Sequence, residues 1–168
     1  MPTRRALLGS AVAWLAGAPL AAHALDAPVG PVVLSIVGRL RTPNRGASAD
    51  FDMAMLERLP AGGFSTATPW YAQPRRFSGP LLRDVLSAAG AQGTTLRARA
   101  LNDYWIDLPV DDAQRHDPII ATRLDGKPMA VRDKGPLFLI YPFDARPELR
   151  TSVYYSRSAW QLRTIEVR

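Results

Sequence analysis

The sequence contains no cysteine and only two histidines, His23 and His116, and these shortages exclude several kinds of chemistry. Without cysteine the chain has no disulfide, no thiolate nucleophile and no thiolate metal ligand. Zinc sites normally combine several histidine and cysteine ligands, so the composition argues against a zinc enzyme. A serine hydrolase would need His116 as its base, and no Gly-x-Ser-x-Gly turn is present. The polar run 111–117 around His116 is typical of a solvated turn.

Long apolar runs are also scarce, and the one at the start of the chain is too short to span a bilayer. The uncharged stretch from Ala6 to Leu20 falls short of the roughly 20 residues that a membrane helix needs. Arg4 and Arg5 precede it, and Ala22-His23-Ala24 follows as a small-x-small cleavage signal. We therefore predict a signal peptide over residues 1–24 and a periplasmic location. A buried N-terminal helix is the alternative.

The arginine pair leaves the export route open. The segment from Thr3 to Leu8 resembles a twin-arginine motif, which directs the export of folded proteins. Arginine pairs also occur in general secretory signals, so either a twin-arginine or a general secretory signal is consistent with the sequence.

Residues 25–168 have the length of a single domain. Removal of Arg4 and Arg5 lowers the formal charge from +6 to +4, and the remaining excess is spread along the chain. No basic run is present that could follow a phosphate backbone, which argues against a nucleic-acid partner.

Local patterns predict a β-rich α+β domain with a few short helices. A helix is expected after Asp50, which can act as its cap, and another from Pro80 to Gly90. Apolar and alternating runs predict strands in the remaining segments: 32–37, 64–68, 95–101, 104–110, 119–124, 137–141 and 162–167.

Five motifs occur in a fixed order along the chain. They are a Gly-x-x-Leu helix start, an Asp-Tyr pair before an x-Leu-Pro strand, an Asp-Gly-x-Pro turn, a Gly-Pro-Leu strand and a late tryptophan. In this sequence they are Gly79 to Leu82, Asp103 to Pro109, Asp125 to Pro128, Gly135 to Leu137, and Trp160. In this order the motifs resemble the molybdopterin-binding domain of the sulfite-oxidase superfamily. The resemblance covers most of the predicted mature chain and implies a sulfite-oxidase-type fold.

One position departs from that superfamily's redox members. Their molybdenum ligand is a cysteine four residues before a tryptophan, and alignment on Trp70 places Thr66 there. A neutral hydroxyl does not replace a thiolate as a donor to a high-valent metal without changing its electronics. The resemblance therefore does not imply sulfite-oxidase catalysis, and we expect no molybdenum.

Four segments carry a second, narrower resemblance: Thr66 to Trp70, Leu101 to Tyr104, Arg132 to Leu137, and Tyr154 to Ser158. In these segments the sequence resembles a smaller group of that superfamily, the cysteine-free periplasmic proteins that bind a reduced pterin. This resemblance implies a non-catalytic, ligand-responsive regulator. Its partner would be the periplasmic domain of a membrane-bound diguanylate cyclase or phosphodiesterase, an enzyme of cyclic di-GMP.

Candidate pterin-binding residues follow from the chemistry of the ligand. A pterin presents an adjacent amino group and ring N–H that a carboxylate such as Asp103 can accept together, with Tyr104 beside it. Its flat face suits an aromatic ring, for which Trp70 is the candidate. Further hydrogen-bond donors could come from Thr66, Thr68 and Arg157.

Other interpretations remain open. Asp103 could be part of a plain turn, and Trp105 and Trp160 are expected in the core. A molybdenum-cofactor oxidoreductase with a non-cysteine ligand and a ligand-free interaction module are the alternative functions.

Overall fold

A computed structural model describes residues 25–168 of the protein. The predicted signal peptide therefore lies outside the described residues. In chain order the strands are β1 Val32–Gly38, β2 Ala49–Asp52, β3 Ala61–Thr68, β4 Tyr71–Pro80, β5 Thr95–Ala100, β6 Trp105–Pro109, β7 Ile119–Ala121, β8 Arg123–Leu124, β9 Lys127–Pro128, β10 Phe138–Ile140, β11 Ala159–Trp160 and β12 Leu162–Val167. The helices are α1 Met53–Arg58, α2 Leu82–Ala88, α3 Asp111–Arg115 and α4 Ser152–Arg157, with 3-10 turns at Val131–Asp133 and Pro147–Leu149.

The largest sheet has five strands in the order β2-β1-β12-β5-β6. Its central pair, β1 and β12, is parallel, and the other neighbours are antiparallel. In β5 the side chains alternate, with Leu96, Ala98 and Ala100 buried while Arg97 and Arg99 face outward. This alternation is typical of a sheet with one face on the core and the other in water.

Two smaller sheets, β3-β4-β8-β9 and β11-β10-β7, lie against each other. They come close at Gly79 in β4, where a side-chain Cβ would lie 2.1 Å from the carbonyl oxygen of Ile120. Only glycine permits that approach, which accounts for the glycine of the Gly-x-x-Leu motif. Side chains from all three sheets form one buried cluster, and its largest fully buried members are Tyr141, Phe51, Phe77, Phe138 and Phe143.

The strand-rich α+β class is confirmed, and most of the predicted strands are present. The helix predicted after Asp50 begins later, because Phe51 pairs with Leu34 and extends β2 to Asp52. Asp52 is the actual cap, and its carboxylate accepts the Met55 N–H at 2.8 Å. The second predicted helix starts at Leu82 rather than at Pro80, which ends β4, while Gly90 follows it with φ of 62° as expected.

The polar run 111–117 is not a solvated turn, and that prediction is wrong. It contains α3, in which Asp112 and Ala113 are buried. His116 follows this helix, half-buried, with Nε2 3.1 Å from the Tyr154 hydroxyl. The charged residues around His116 do not predict this burial. The residue that contacts His116 is Tyr154 in α4, which lies 38 residues further along the chain.

Candidate functional site

A cavity of about 400 Å³ opens where the β3–β4 turn, the β5–β6 turn and the segment from α4 to β11 meet. We call it the aromatic pocket, because four of its wall residues carry aromatic rings. Its walls are formed by Pro69, Trp70, Asn102, Tyr104, Tyr155, Ser156, Ser158, Ala159 and Trp160. None of these side chains carries a formal charge.

Trp70 lies at the centre of the aromatic contacts. Its ring centroid is 5.5 Å from that of Trp160 and 6.1 Å from that of Tyr155, with interplanar angles of 72° and 88°. Beneath it, the buried Phe138 ring lies 5.5 Å away. Edge-on packing of this kind is a favourable arrangement of aromatic pairs and holds the walls at steep angles to one another.

The β5–β6 turn places Tyr104 at the mouth of the pocket. The side-chain oxygen of Asn102 accepts the Tyr104 N–H at 3.2 Å, and the Leu101 N–H donates to the Gln161 carbonyl at 2.9 Å. Asp103, between them, has φ of 64°, a conformation that aspartate tolerates better than most residues. Its side chain is exposed, and Asp103 lies beside the pocket wall rather than on it.

Two serines contribute hydroxyl groups to the wall: Ser156 lies in α4, and Ser158 directly follows this helix. The Ser156 hydroxyl donates to the Val153 carbonyl at 2.8 Å, and the Ser158 hydroxyl donates to the Tyr154 carbonyl at 3.1 Å. Because each hydroxyl proton is already used, the oxygen lone pairs remain for a ligand N–H.

Arg157, a predicted donor to the ligand, instead contacts a buried carboxylate. Its Nη1 donates to Asp112 Oδ2 at 2.9 Å, and the Tyr141 hydroxyl donates to the same oxygen at 2.8 Å. Burial, and secondarily the nearby Asp112 carboxylate, raises the pKa of Tyr141, so its hydroxyl remains a donor. This network connects α3, α4 and the end of β10, and it fixes the helix that supplies Tyr155 and Ser156 to the pocket.

The two predicted threonine donors also make hydrogen bonds within the protein, but only Thr66 uses its hydroxyl proton in them. Thr66 is buried, and its hydroxyl accepts the Asp144 N–H at 3.0 Å while donating to the Ala67 carbonyl at 3.3 Å. The Thr68 hydroxyl accepts the Trp70 N–H at 3.3 Å. Neither residue lies on the wall of the aromatic pocket. Thr66, at the position aligned with the superfamily's cysteine, does not fit as a metal ligand without breaking these bonds.

The structure therefore brings two of the six predicted residues, Trp70 and Tyr104, to one pocket, with Asp103 adjacent. Sequence reasoning missed Asn102, Tyr155 and the two serines as wall residues, although all of them lie in segments that carry the resemblance. Trp160 was expected in the core, yet it is only half-buried and forms a wall.

Across residues 25–168, no group of three or more histidine, cysteine, aspartate or glutamate side chains is placed to hold a metal ion. No helix in the same range is long and apolar enough to cross a membrane.

A scan against models of protein families found no match, and a search of curated proteins found none either.

Proposed function

We propose that the protein binds a reduced pterin in the aromatic pocket and acts as a non-catalytic regulator. The observation that carries the proposal is the set of four aromatic rings, from Trp70, Tyr104, Tyr155 and Trp160, around one open cavity. A flat heterocycle can stack on one ring while the steeply inclined neighbours contact its edges, which favours a planar aromatic ligand.

The polar groups of the wall suit the edge of such a ligand. The amide nitrogen of Asn102 makes no hydrogen bond within the described residues and can donate to the pterin carbonyl. The hydroxyl oxygens of Ser156 and Ser158 can accept from ring N–H groups, as described above. The Asp103 carboxylate, exposed beside the mouth, is the candidate acceptor for the amino group and its neighbouring N–H.

The finer fold and the biological role belong to the same proposal. We propose a sulfite-oxidase-type domain, exported to the periplasm, that signals ligand occupancy to a membrane-bound cyclic di-GMP enzyme. The resemblance of the sequence supports this part. A molybdenum oxidoreductase is the less favoured function, because the Thr66 hydroxyl is buried and committed to Asp144 and Ala67.

The proposal is tested by titrating the purified protein with a tetrahydropterin under anaerobic conditions and following the quenching of tryptophan fluorescence. The informative variant is Tyr104→Ala, since this side chain is 51% exposed and its loss will barely change stability. Loss of one stacking face should weaken binding about tenfold.

The neighbouring residue supplies a matched control. Trp105 is 48% exposed but lies outside the pocket, so Trp105→Ala should bind the tetrahydropterin as the wild type does. Equal affinity of wild type, Tyr104→Ala and Trp105→Ala would show that the aromatic pocket is not the pterin site. Stoichiometric molybdenum in protein purified from its native host would favour the oxidoreductase.

A further inference from the structure

The strand β3 forms an unprotected edge of its sheet. It is eight residues long and, within the described residues, pairs only with β4. It contains no charged residue and no proline, and its one register shift is confined to its end, between Thr66 and Thr68. Edge strands are ordinarily protected by charges, prolines, bulges or a covering segment, because they can pair with another chain.

The hydrogen bonds of β4 show which β3 groups face the open edge. The carbonyls of Arg76 and Ser78 accept N–H groups from the β8 side at 2.7 and 2.9 Å. Phe77, between them, therefore turns its backbone polar groups toward β3, where it lies opposite Phe64. Successive residues alternate in this respect, so the N–H and C=O groups of β3 alternate between β4 and the open edge.

Gly63 and Ser65 consequently present their backbone polar groups outward. Both residues are exposed, and in the described part of the chain no hydrogen bond outside the β3–β4 pairing involves their N–H or C=O groups. The open stretch ends at Ala67, whose outward N–H donates to the Asp144 carboxylate at 2.9 Å. These two residues, which are separated by Phe64, leave two N–H and two C=O groups available to an added strand.

A groove of about 290 Å³ runs beside this edge. Gly62 and Gly63 form one wall without side chains, which permits close approach of another backbone. Leu81, which is half-buried, supplies apolar surface, the fully buried Ile119 lies at the groove without exposing surface, and Ala145 lies on the facing loop. An added strand would direct alternate side chains into this groove.

The groove also carries positive charge. Arg83 and Arg146 both line it and both contact one carboxylate, that of Asp117, with Arg146 Nη2 at 3.5 Å. Two guanidinium groups share a single negative charge, and each side chain remains about one third exposed, at 34% and 37%. An incoming carboxylate would find an uncompensated positive charge here.

We propose that an extended segment of a partner protein adds to β3 as a further strand and places an acidic side chain against Arg83 and Arg146. A second copy of this chain fits less well, because β3 itself contains no aspartate or glutamate to meet these arginines. The proposal goes beyond pterin binding and does not depend on it, since none of the groove residues lines the aromatic pocket.

The test uses a displayed library of random eight-residue peptides selected on the purified protein, followed by anisotropy titrations of the enriched peptides carrying a fluorescent label. Enrichment of alternating β-branched residues with one aspartate or glutamate is expected. Ser65→Pro removes the outward N–H while leaving the bonds to β4 intact, and should weaken binding at least about tenfold. Ser65→Ala keeps the N–H and is the matched control.

Arg146→Gln tests the charge without altering the strand and should also weaken binding, whereas Arg132→Gln, at an exposed arginine outside the groove, should not. The proposal is overturned if no peptide is enriched, or if binding is insensitive to both Ser65→Pro and Arg146→Gln. It is also overturned if the protein alone forms a dimer that Ser65→Pro dissociates, because the occupant is then a second copy. Tetrahydropterin affinity should be unchanged in all four variants, which separates this proposal from the proposed function.

Discussion

Nη1 of Arg157 lies 2.9 Å from Oδ2 of Asp112. This ion pair connects α4, which supplies Tyr155 and Ser156 to the wall of the aromatic pocket, to α3. The Asp112 side chain is only 6% exposed, and that of Arg157 is 24% exposed. The loss of one partner from a buried pair leaves an uncompensated charge, which is costly. Arg157 therefore acts on the pocket through the position of α4.

Arg157→Met should lower the free energy of unfolding by roughly 2–3 kcal/mol, at or below the lower end of the range of about 3–5 kcal/mol for buried pairs, because the arginine is partly exposed. Urea unfolding followed by circular dichroism provides the measurement. Arg132→Met is the control, since this side chain is 88% exposed and its loss should change stability by less than about 0.5 kcal/mol. Equal stability of the two variants would show that other contacts hold α4.

Asp103→Asn should weaken tetrahydropterin binding by about tenfold or more while leaving the fold intact. A carboxylate accepts from both ligand donors, whereas an amide accepts from one and opposes the other. The fold should survive because the side chain is exposed and asparagine also tolerates a φ of 64°. Affinity is compared with the thermal unfolding midpoint. Unchanged affinity in a folded variant would show that the Asp103 carboxylate does not bind the ligand and that this residue only forms part of the turn.

Asp52 should make stability depend on pH in the acidic range. Hydrogen bonds from the Gly30 N–H above all, and from the Met55 N–H, hold the pKa of this carboxyl below its ordinary value. A lowered folded-state pKa contributes stability that is present above the unfolded-state pKa, about 4, and is lost as pH falls below it.

The wild type should thus exceed Asp52→Asn in unfolding free energy by its largest margin near neutral pH, and this margin should shrink between about pH 5 and pH 3. Asp111→Asn, at a side chain that is 71% exposed, should show little change at any pH. A margin that stays constant with pH would mean that the loss in Asp52→Asn comes from packing rather than from the charge.

Replacement of Arg4 and Arg5 by lysine should leave an uncleaved precursor inside the cell if the twin-arginine route is used. Lysine keeps the positive charge of the segment but removes the motif. Cell fractionation with immunoblotting separates precursor from mature protein. Normal export of the variant would assign the protein to the general secretory route.

The first and last strands were the most predictable elements of the fold, whereas β2 and the ten-residue β4 were not among the predicted strands. The runs at Val32–Gly38 and Leu162–Val167 are rich in β-branched residues, and both are strands within a residue of the prediction. Their parallel pairing at the centre of the largest sheet was beyond the sequence, because the two runs are more than 120 residues apart. Hydrophobic periodicity indicates whether a segment is a strand or a helix, but it does not indicate which other strand that segment pairs with.

The tryptophans show why the candidate site was only partly predictable. Trp105 was expected in the core, but it is 48% exposed, because Ile106 and Leu108 occupy the inward positions of β6. Its ring instead lies under the Arg97 guanidinium, 3.7 Å away. Trp70 and Trp160, 90 residues apart, form adjacent walls of one pocket. The residue type predicts that a tryptophan favours apolar surroundings. Whether its side chain faces the core or the solvent depends on the register of its strand, which the residue type does not give.

The sequence by itself determined the absence of thiol chemistry, the strand-rich class and the turn at Asp125-Gly126, because composition, alternation and turn chemistry are local properties. Tertiary structure decided which polar side chains are free. Within residues 25–168, it engages donors of Thr66 and Arg157 with acceptors inside the protein, and it leaves β3 paired on one side only. The reason is physical: a hydrogen-bond donor is available to a ligand only if no acceptor within the fold reaches it first, and those acceptors come from distant segments.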